Sequence, residues 1–407
     1  MPTPSSGSTS STSGVAPLRT ESVVIVGAGA ITPIGSDLDA FWSGLVTGSD
    51  GISLIERFPV GDLRVRRGGE IKKLSLPDGA SPDGCRASGL LGAAAADLLA
   101  RTSLDAAPAR RAIVVGTALG GVEELERALG PDRTARRAAG AFYDSPAHAL
   151  ARRLDARGPV LTVSTACASG ATAIGVGADL LRDDRADLVV AGGYDVLCRF
   201  VMRGFDVLRS LTRERVRPFD RRRSGLLLGE GAALVLLARE TDAPHERLGR
   251  LLGHASASDG SHIAAPDPDG RGLEAAIRAA MRQAGVTAGD VDFVSAHGTA
   301  TPLNDRIETG VLKRVLGARA GQIPLNSIKG GLGHTMGAAA ALEAIMCLLA
   351  SRHGTIPHTL GLEEPDPECD LDYVPLSPRA ARPRLSLSTS AGFGGCNAAL
   401  VVEGRLA

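Results

Sequence analysis

Two helical stretches, Ser169–Arg182 and residues 336–352, carry small apolar residues on nearly every face. A surface helix keeps a polar stripe, so a helix that is apolar all round belongs inside. Each stretch follows an apolar strand-like segment, residues 160–165 and 322–326. The chain must therefore bury helices between sheets.

The strand–helix rhythm runs twice. A strand from Val23 is followed by a helix near 37–46, strands at 111–116 and 160–165, the first buried helix, and strands at 187–192 and 232–238. A polar break at Glu240–Glu246 separates this from a second run: strand 248–257, helix 271–285, strand 291–296, helix 305–316, strand 322–326, the second buried helix, and strands at 384–390 and 398–403. Each half ends in an antiparallel pair, and no short solenoid period is present. The expectation is an α/β fold of two duplicated halves, residues 22–245 and 246–407, with mixed sheets, helices outside and a layer between. Residues 1–21 are rich in Ser, Thr, Pro and Gly without an apolar segment, and read as a disordered tail rather than a signal peptide.

Charge narrows the function. Lys plus Arg and Asp plus Glu balance at 45 each, so no bulk field points to nucleic acid or membrane. No apolar run is long enough to span a bilayer. Six cysteines, at 85, 167, 198, 347, 369 and 396, lack C-x-x-C spacing, which points away from disulfides and zinc and toward a reducing cytoplasm. Lysine occurs only at 72, 73, 313 and 329, so each one draws notice.

Chemistry gathers at four places. Cys167 stands in Leu161-Thr-Val-Ser-Thr-Ala-Cys-Ala-Ser-Gly-Ala171, where residues 160–163 read as a buried strand and a helix starts directly behind the thiol. A thiol there sits near the positive end of a helix dipole, which favours the thiolate. Alone, such a cysteine is more often a buried structural residue. The other three segments are His297-Gly-Thr-Ala-Thr-Pro-Leu-Asn-Asp305, Asn326-Ser-Ile-Lys-Gly-Gly-Leu-Gly-His334 and Ser390-Ala-Gly-Phe-Gly-Gly-Cys-Asn397. Each lies at a strand end, where α/β folds build sites. Singly they read as core histidines, a solvated lysine and a tight turn. Jointly they do not. Gly27 and Gly29 match part of a dinucleotide fingerprint, but position 32 is Thr and the motif is incomplete.

With Thr165-Ala-Cys-Ala-Ser-Gly170, Arg217-Pro-Phe-Asp-Arg221, Gly229-Glu-Gly231 and Ser258-Asp-Gly260, these blocks run in order from about residue 22 to 405. The chain resembles the β-ketoacyl-acyl-carrier-protein synthases of the elongating, two-histidine type, as in bacterial type II polyketide or fatty acid systems. The resemblance implies a thiolase-like fold with five layers, α-β-α-β-α. It implies that Cys167 takes an acyl chain from a carrier-protein thioester. His297 and His334 would hold the extender's carbonyl, Lys329 would order the site, and Glu343 would be its ion partner. Thr299 and Thr301 would bind the pantetheine arm, and the backbone N–H groups of Cys167 and Phe393 would form an oxyanion hole. Phe393 would be a gate, in a turn made by Gly394 and Gly395. Leu119, Phe205 and Ala391 would shape the acyl pocket; the family usually has Phe where Ala391 stands and Thr where Cys396 stands. The segment from Glu123 to Pro146 also departs from the family pattern.

The implied partners are an acidic acyl carrier protein, meeting Arg66, Arg67, Lys72, Lys73 and Arg209, and a second subunit. That subunit is either a copy of this chain or a ketosynthase-like chain-length subunit. No metal or cofactor is implied, since substrates ride on the carrier's phosphopantetheine. Two other readings remain: an acyltransferase that loads but does not condense, and a non-catalytic chain-length subunit.

Overall fold

A computed structural model describes residues 22–74, 84–130, 133–243 and 247–404. The expected tail at 1–21 and the expected boundary at 245/246 lie outside the described residues. The main sheet comprises β1 (Val23–Ile31), β2 (Arg111–Gly116), β3 (Val160–Val163), β4 (Leu188–Asp195), β5 (Gly231–Arg239), β6 (Gly249–Ser258), β7 (Phe293–Ser295), β8 (Leu325–Asn326), β9 (Leu385–Gly392) and β10 (Cys396–Gly404).

Their order is β8-β7-β9-β10-β6-β1-β5-β4-β2-β3. Within each half the strands run third, second, fourth, fifth, first, and the first three in that order are parallel while the last two pair antiparallel. The duplication read from the sequence is therefore topological. The two expected sheets are joined into one, because Val23–Ile25 of β1 pairs antiparallel with Gly249–Leu251 of β6.

Five helices set the layers: α1 (Arg86–Leu99), α2 (Ser169–Arg182), α3 (Arg271–Ala284), α4 (Pro302–Leu316) and α5 (Ala339–His353). Helix α2 touches β2 and β4 of the first half and β6 and β10 of the second, and α5 likewise touches strands of both. Every residue from Ala339 to Ser351 is buried. These are the two stretches whose all-round apolar pattern demanded an interior place. Helix α1 covers β1 and β5, and α3 covers β6 and β10. Gly27 and Gly29 serve this packing: a side chain at Gly29 would meet Ala94 O of α1 at 2.2 Å.

Local chemistry explains the boundaries. Pro302 at the first turn starts α4 three residues before the expected 305, since proline there lacks only an N–H that has no helical partner. The second central helix opens as a 3₁₀ turn at Met336–Ala338, and Gly354 in the left-handed region (φ 67°) ends it. The strand Val160–Val163 corrects an expectation. It is not buried but forms the sheet's outer edge, with Leu161 37% exposed.

The halves meet backbone to backbone. A side chain at Gly193 of β4 would come within 2.1 Å of Gly337 O, just ahead of α5. Gly193→Ala should therefore lower stability by about 1–3 kcal/mol or more, measured as the shift of the urea midpoint.

Candidate active site

A cavity of about 470 Å³ receives residues from both halves: Cys167 with Phe205 and Arg209 from the first, His297, Thr299, Thr301, His334, Ala391 and Phe393 from the second. Cys167 stands between β3 and α2. The turn ahead of it is closed by Ser169 Oγ, which accepts from Thr165 N (2.9 Å) and donates to Ala166 O (2.6 Å). Ala166 takes φ 51° there. His297 follows β7, and His334 ends the Gly-rich segment after β8.

The two imidazoles lie edge to face with centroids 5.3 Å apart. Burial and the Lys329 cation hold both well below the ordinary histidine value, so both are neutral at pH 7. Met336 N donates to His334 Nδ1 at 3.3 Å, which places the proton on Nε2. Among the described residues that buried Nε2 has no hydrogen-bond partner. His334 thus presents a neutral N–H without a partner, suited to an oxygen that becomes negative.

Burial pushes the Cys167 thiol up to about 12, with Lys329 and the Phe393 backbone N–H pulling the other way and Asp195 and Glu343 adding to the rise. Desolvation thus works against the thiolate that the helix end favours. Gly392 lets the gate segment press on the nucleophile, since a side chain there would lie 3.0 Å from Cys167 N. The Phe393 ring stacks on Phe205 with centroids 5.5 Å apart. Gly394 adopts φ 78° and donates its N–H to Ile263 O at 2.8 Å.

Lys329 is 2% exposed, not solvated. Its Nζ donates to His297 O at 2.5 Å and pairs with Glu343. Burial raises Glu343 to about 7, against the pull of Lys329. Two acids beside the blocks escaped the sequence reading. Glu308 of α4 accepts from His297 N (2.7 Å), Gly298 N (2.9 Å) and Thr389 Oγ1 (2.7 Å), fixing the His297 turn. Asp195, the last residue of β4, binds loop residues of the first half and Gly337 of the second. A lone acid closing an otherwise apolar strand was its only signal.

The remaining candidates divide. Thr299 and Thr301 sit with their hydroxyls 3.0 Å apart in the cavity wall. Leu119 is not part of the cavity lining; it packs against the apolar cluster that includes Val201 and Met202. Arg209 is exposed at the mouth, whereas Arg66, Arg67, Lys72 and Lys73 do not line the cavity. Lys72 is already paired with Glu70 (2.7 Å) and Glu56 (3.0 Å). A larger hollow of about 970 Å³, lined by Arg101, Asp187 and Arg239 among others, has no cysteine or histidine in its wall.

Lys329 opposes the burial of both Cys167 and Glu343, which yields a prediction. Lys329→Met should move the pH profile of Cys167 alkylation upward. It should also cost about 3–5 kcal/mol of stability by stranding Glu343, read from denaturant melts.

Sequence comparison matches residues 20–243 to "Beta-ketoacyl synthase, N-terminal domain" and residues 248–363 to "Beta-ketoacyl synthase, C-terminal domain". The tetracenomycin polyketide synthase ketoacyl synthase alpha subunit of Streptomyces glaucescens is 38% identical, over 93% of this chain and 96% of its own length. The 3-oxoacyl-[acyl-carrier-protein] synthase 2 of Synechocystis sp. is 35% identical, over 96% and 99%. Among solved structures, the ishigamide ketosynthase/chain length factor superposes with a TM-score of 0.87 at 33% identity, covering 95% of this chain and 100% of that one. The Xenorhabdus doucetiae ketosynthase ApeO in complex with its chain length factor ApeC gives 0.82 at 30%, covering 95% and 98%. The duplicated topology is that of these ketosynthases, and the chain belongs to the β-ketoacyl synthase family.

Proposed function

We propose that this chain is a decarboxylating β-ketoacyl-acyl-carrier-protein synthase of a polyketide or specialised fatty acid system. The observation that carries the reading is a cysteine and two neutral imidazoles from opposite halves in one cavity. Cys167 attacks a carrier-protein acyl thioester, and the thiol carrier leaves with the proton. The Phe393 N–H and that of Cys167 receive the oxyanion of the tetrahedral intermediate. A malonyl thioester then enters, and His297 and His334 donate to its carbonyl oxygen. Loss of CO₂ leaves an enolate whose charge rests on that oxygen. The enolate carbon attacks the acyl-Cys167 carbonyl and expels the thiolate, giving a β-ketoacyl-carrier thioester. Thr299 and Thr301 hold the pantetheine arm on its way in.

Arg209 stands at the cavity mouth beside the exposed Leu208 and Leu303. We assign this rim to the acidic carrier protein, with charge mainly steering encounter. The second subunit docks along the exposed edge β3; relatives of this chain are described with a chain length factor, which supports a heterodimer. A purely chain-length role is disfavoured by the intact cysteine and both histidines.

Mass spectrometry of the chain with its partner subunit, acyl-carrier protein and malonyl-carrier protein should show acyl-Cys167 and a β-ketoacyl product. Loading without product would leave only an acyltransferase; neither would leave only an interaction subunit. Removing the His334 donor (His334→Ala) should keep acyl loading and slow decarboxylation by about a hundredfold or more, one such donor being worth roughly 2.7–4 kcal/mol. Ala391 leaves space behind the gate, so Ala391→Phe should reduce turnover of long acyl primers while sparing acetyl; equal loss for both would count against that role.

A further inference from the structure

Asp195 is fully buried at the end of β4. Its carboxylate accepts four hydrogen bonds. Oδ1 takes Thr117 Oγ1 at 2.7 Å and Leu119 N at 3.2 Å. Oδ2 takes Ala118 N at 2.8 Å and Gly337 N at 2.7 Å. Three donors belong to the loop after β2, and the fourth comes from the opposite half.

Gly337 closes the tight turn that carries His334. Within that turn Met336 adopts φ 51° and donates its N–H to His334 Nδ1. Only glycine fits at 337, because a side chain would lie 2.6 Å from Thr117 Cα and 2.7 Å from Asp195 Oδ2. The first-half loop is tied in turn to the nucleophile's side: Thr117 N donates to Val163 O of β3 at 3.0 Å, and Thr117 O lies 3.2 Å from Ser169 Oγ, the hydroxyl that closes the turn before Cys167.

We propose that Asp195 is a positioning residue that holds the His334 turn in register with the Cys167 turn across the boundary between the halves. Its catalytic consequence rests on the condensing function proposed above. One buried carboxylate is the shared acceptor of both strings of hydrogen bonds. Losing it frees the His334 turn without altering either catalytic side chain.

The carboxylate also acts through its charge. Burial raises Asp195 to about 6 while its four donors hold it down, so it is ionised above neutrality. Tyr143 and Tyr194 lie close enough to feel it. Cys167 faces Asp195, Glu343 and Lys329 as charged neighbours, with His297 and His334 neutral in the same cavity. Asp195 therefore opposes ionisation of the thiol.

The test uses Asp195→Asn in the full chain, with folding followed by circular dichroism and gel filtration. Iodoacetamide labelling of Cys167 is read against pH, and decarboxylation is read with malonyl-N-acetylcysteamine. The labelling profile should move to lower pH by about half a unit, since a negative neighbour has gone. Decarboxylation should fall about tenfold, as expected for buried donors left without their acceptor. A carboxylate that merely supported the fold would lower both signals with the folded fraction and leave the profile where it was; that result, or decarboxylation at the parent rate, overturns the proposal. Should Asp195→Asn not fold, Thr117→Val removes one donor and keeps the charge. It should slow decarboxylation about threefold with the labelling profile unmoved, and a parent-like rate overturns the proposal. If the unaltered chain releases no CO₂, the condensing function fails, while the labelling shift still decides the case for Asp195.

Discussion

The close approach of the two halves around Gly337 governs the rest of the molecule. Gly116, Gly170 and Gly193 all lie where a side chain would collide with backbone: Ser169 O for the first, Gly337 O for the other two. Large side chains would hold the sheet halves apart, and the nucleophile and the histidines would not share a cavity. The scarcity of aromatics, 3% of the chain, and the abundance of glycine follow from this need. Interiors are close-packed, so small residues translate directly into short distances between elements.

Onto that frame is set an electrostatic balance around one cation. Lys329 is fully enclosed, and Glu343, Glu308 and Asp195 are enclosed near the same centre. Burial, reinforced by the lysine, keeps the imidazoles neutral; the lysine counters burial at Cys167, while Glu343 keeps the lysine itself from being a lone buried charge. Neutral imidazoles are what an enolate oxygen requires from hydrogen-bond donors that must not surrender a proton early. Burial at this centre thus favours neutral groups, with Lys329 as the opposing influence at Cys167.

Much of this was legible in the sequence because chemistry-bearing residues sat at strand ends in compact blocks. Cys167, His297, Lys329 and His334 were readable together, and so were the two all-apolar helices. Asp195 and Glu308 were not, because a single acid has no motif and its donors come from loops that only the fold assembles. The strand Val160–Val163 misled for a different reason. An exposed edge strand can have the same apolar, β-branched composition as a core strand. Composition shows the Lys72 charge but not its neighbours Glu70 and Glu56, which only the fold brings to it. Leu119, given a pocket position by the family resemblance, packs against the same cluster of Val201 and Met202 as the cavity-lining Phe205.

The two borders of the sheet differ in kind. β8 is only two residues long and buried, so its border is sealed. β3 ends the sheet with Leu161 exposed, and no further strand pairs with it among the described residues. An uncapped apolar border invites further strands of any origin, including those of other newly made copies. A chain with such a border is open to self-association until the border is covered.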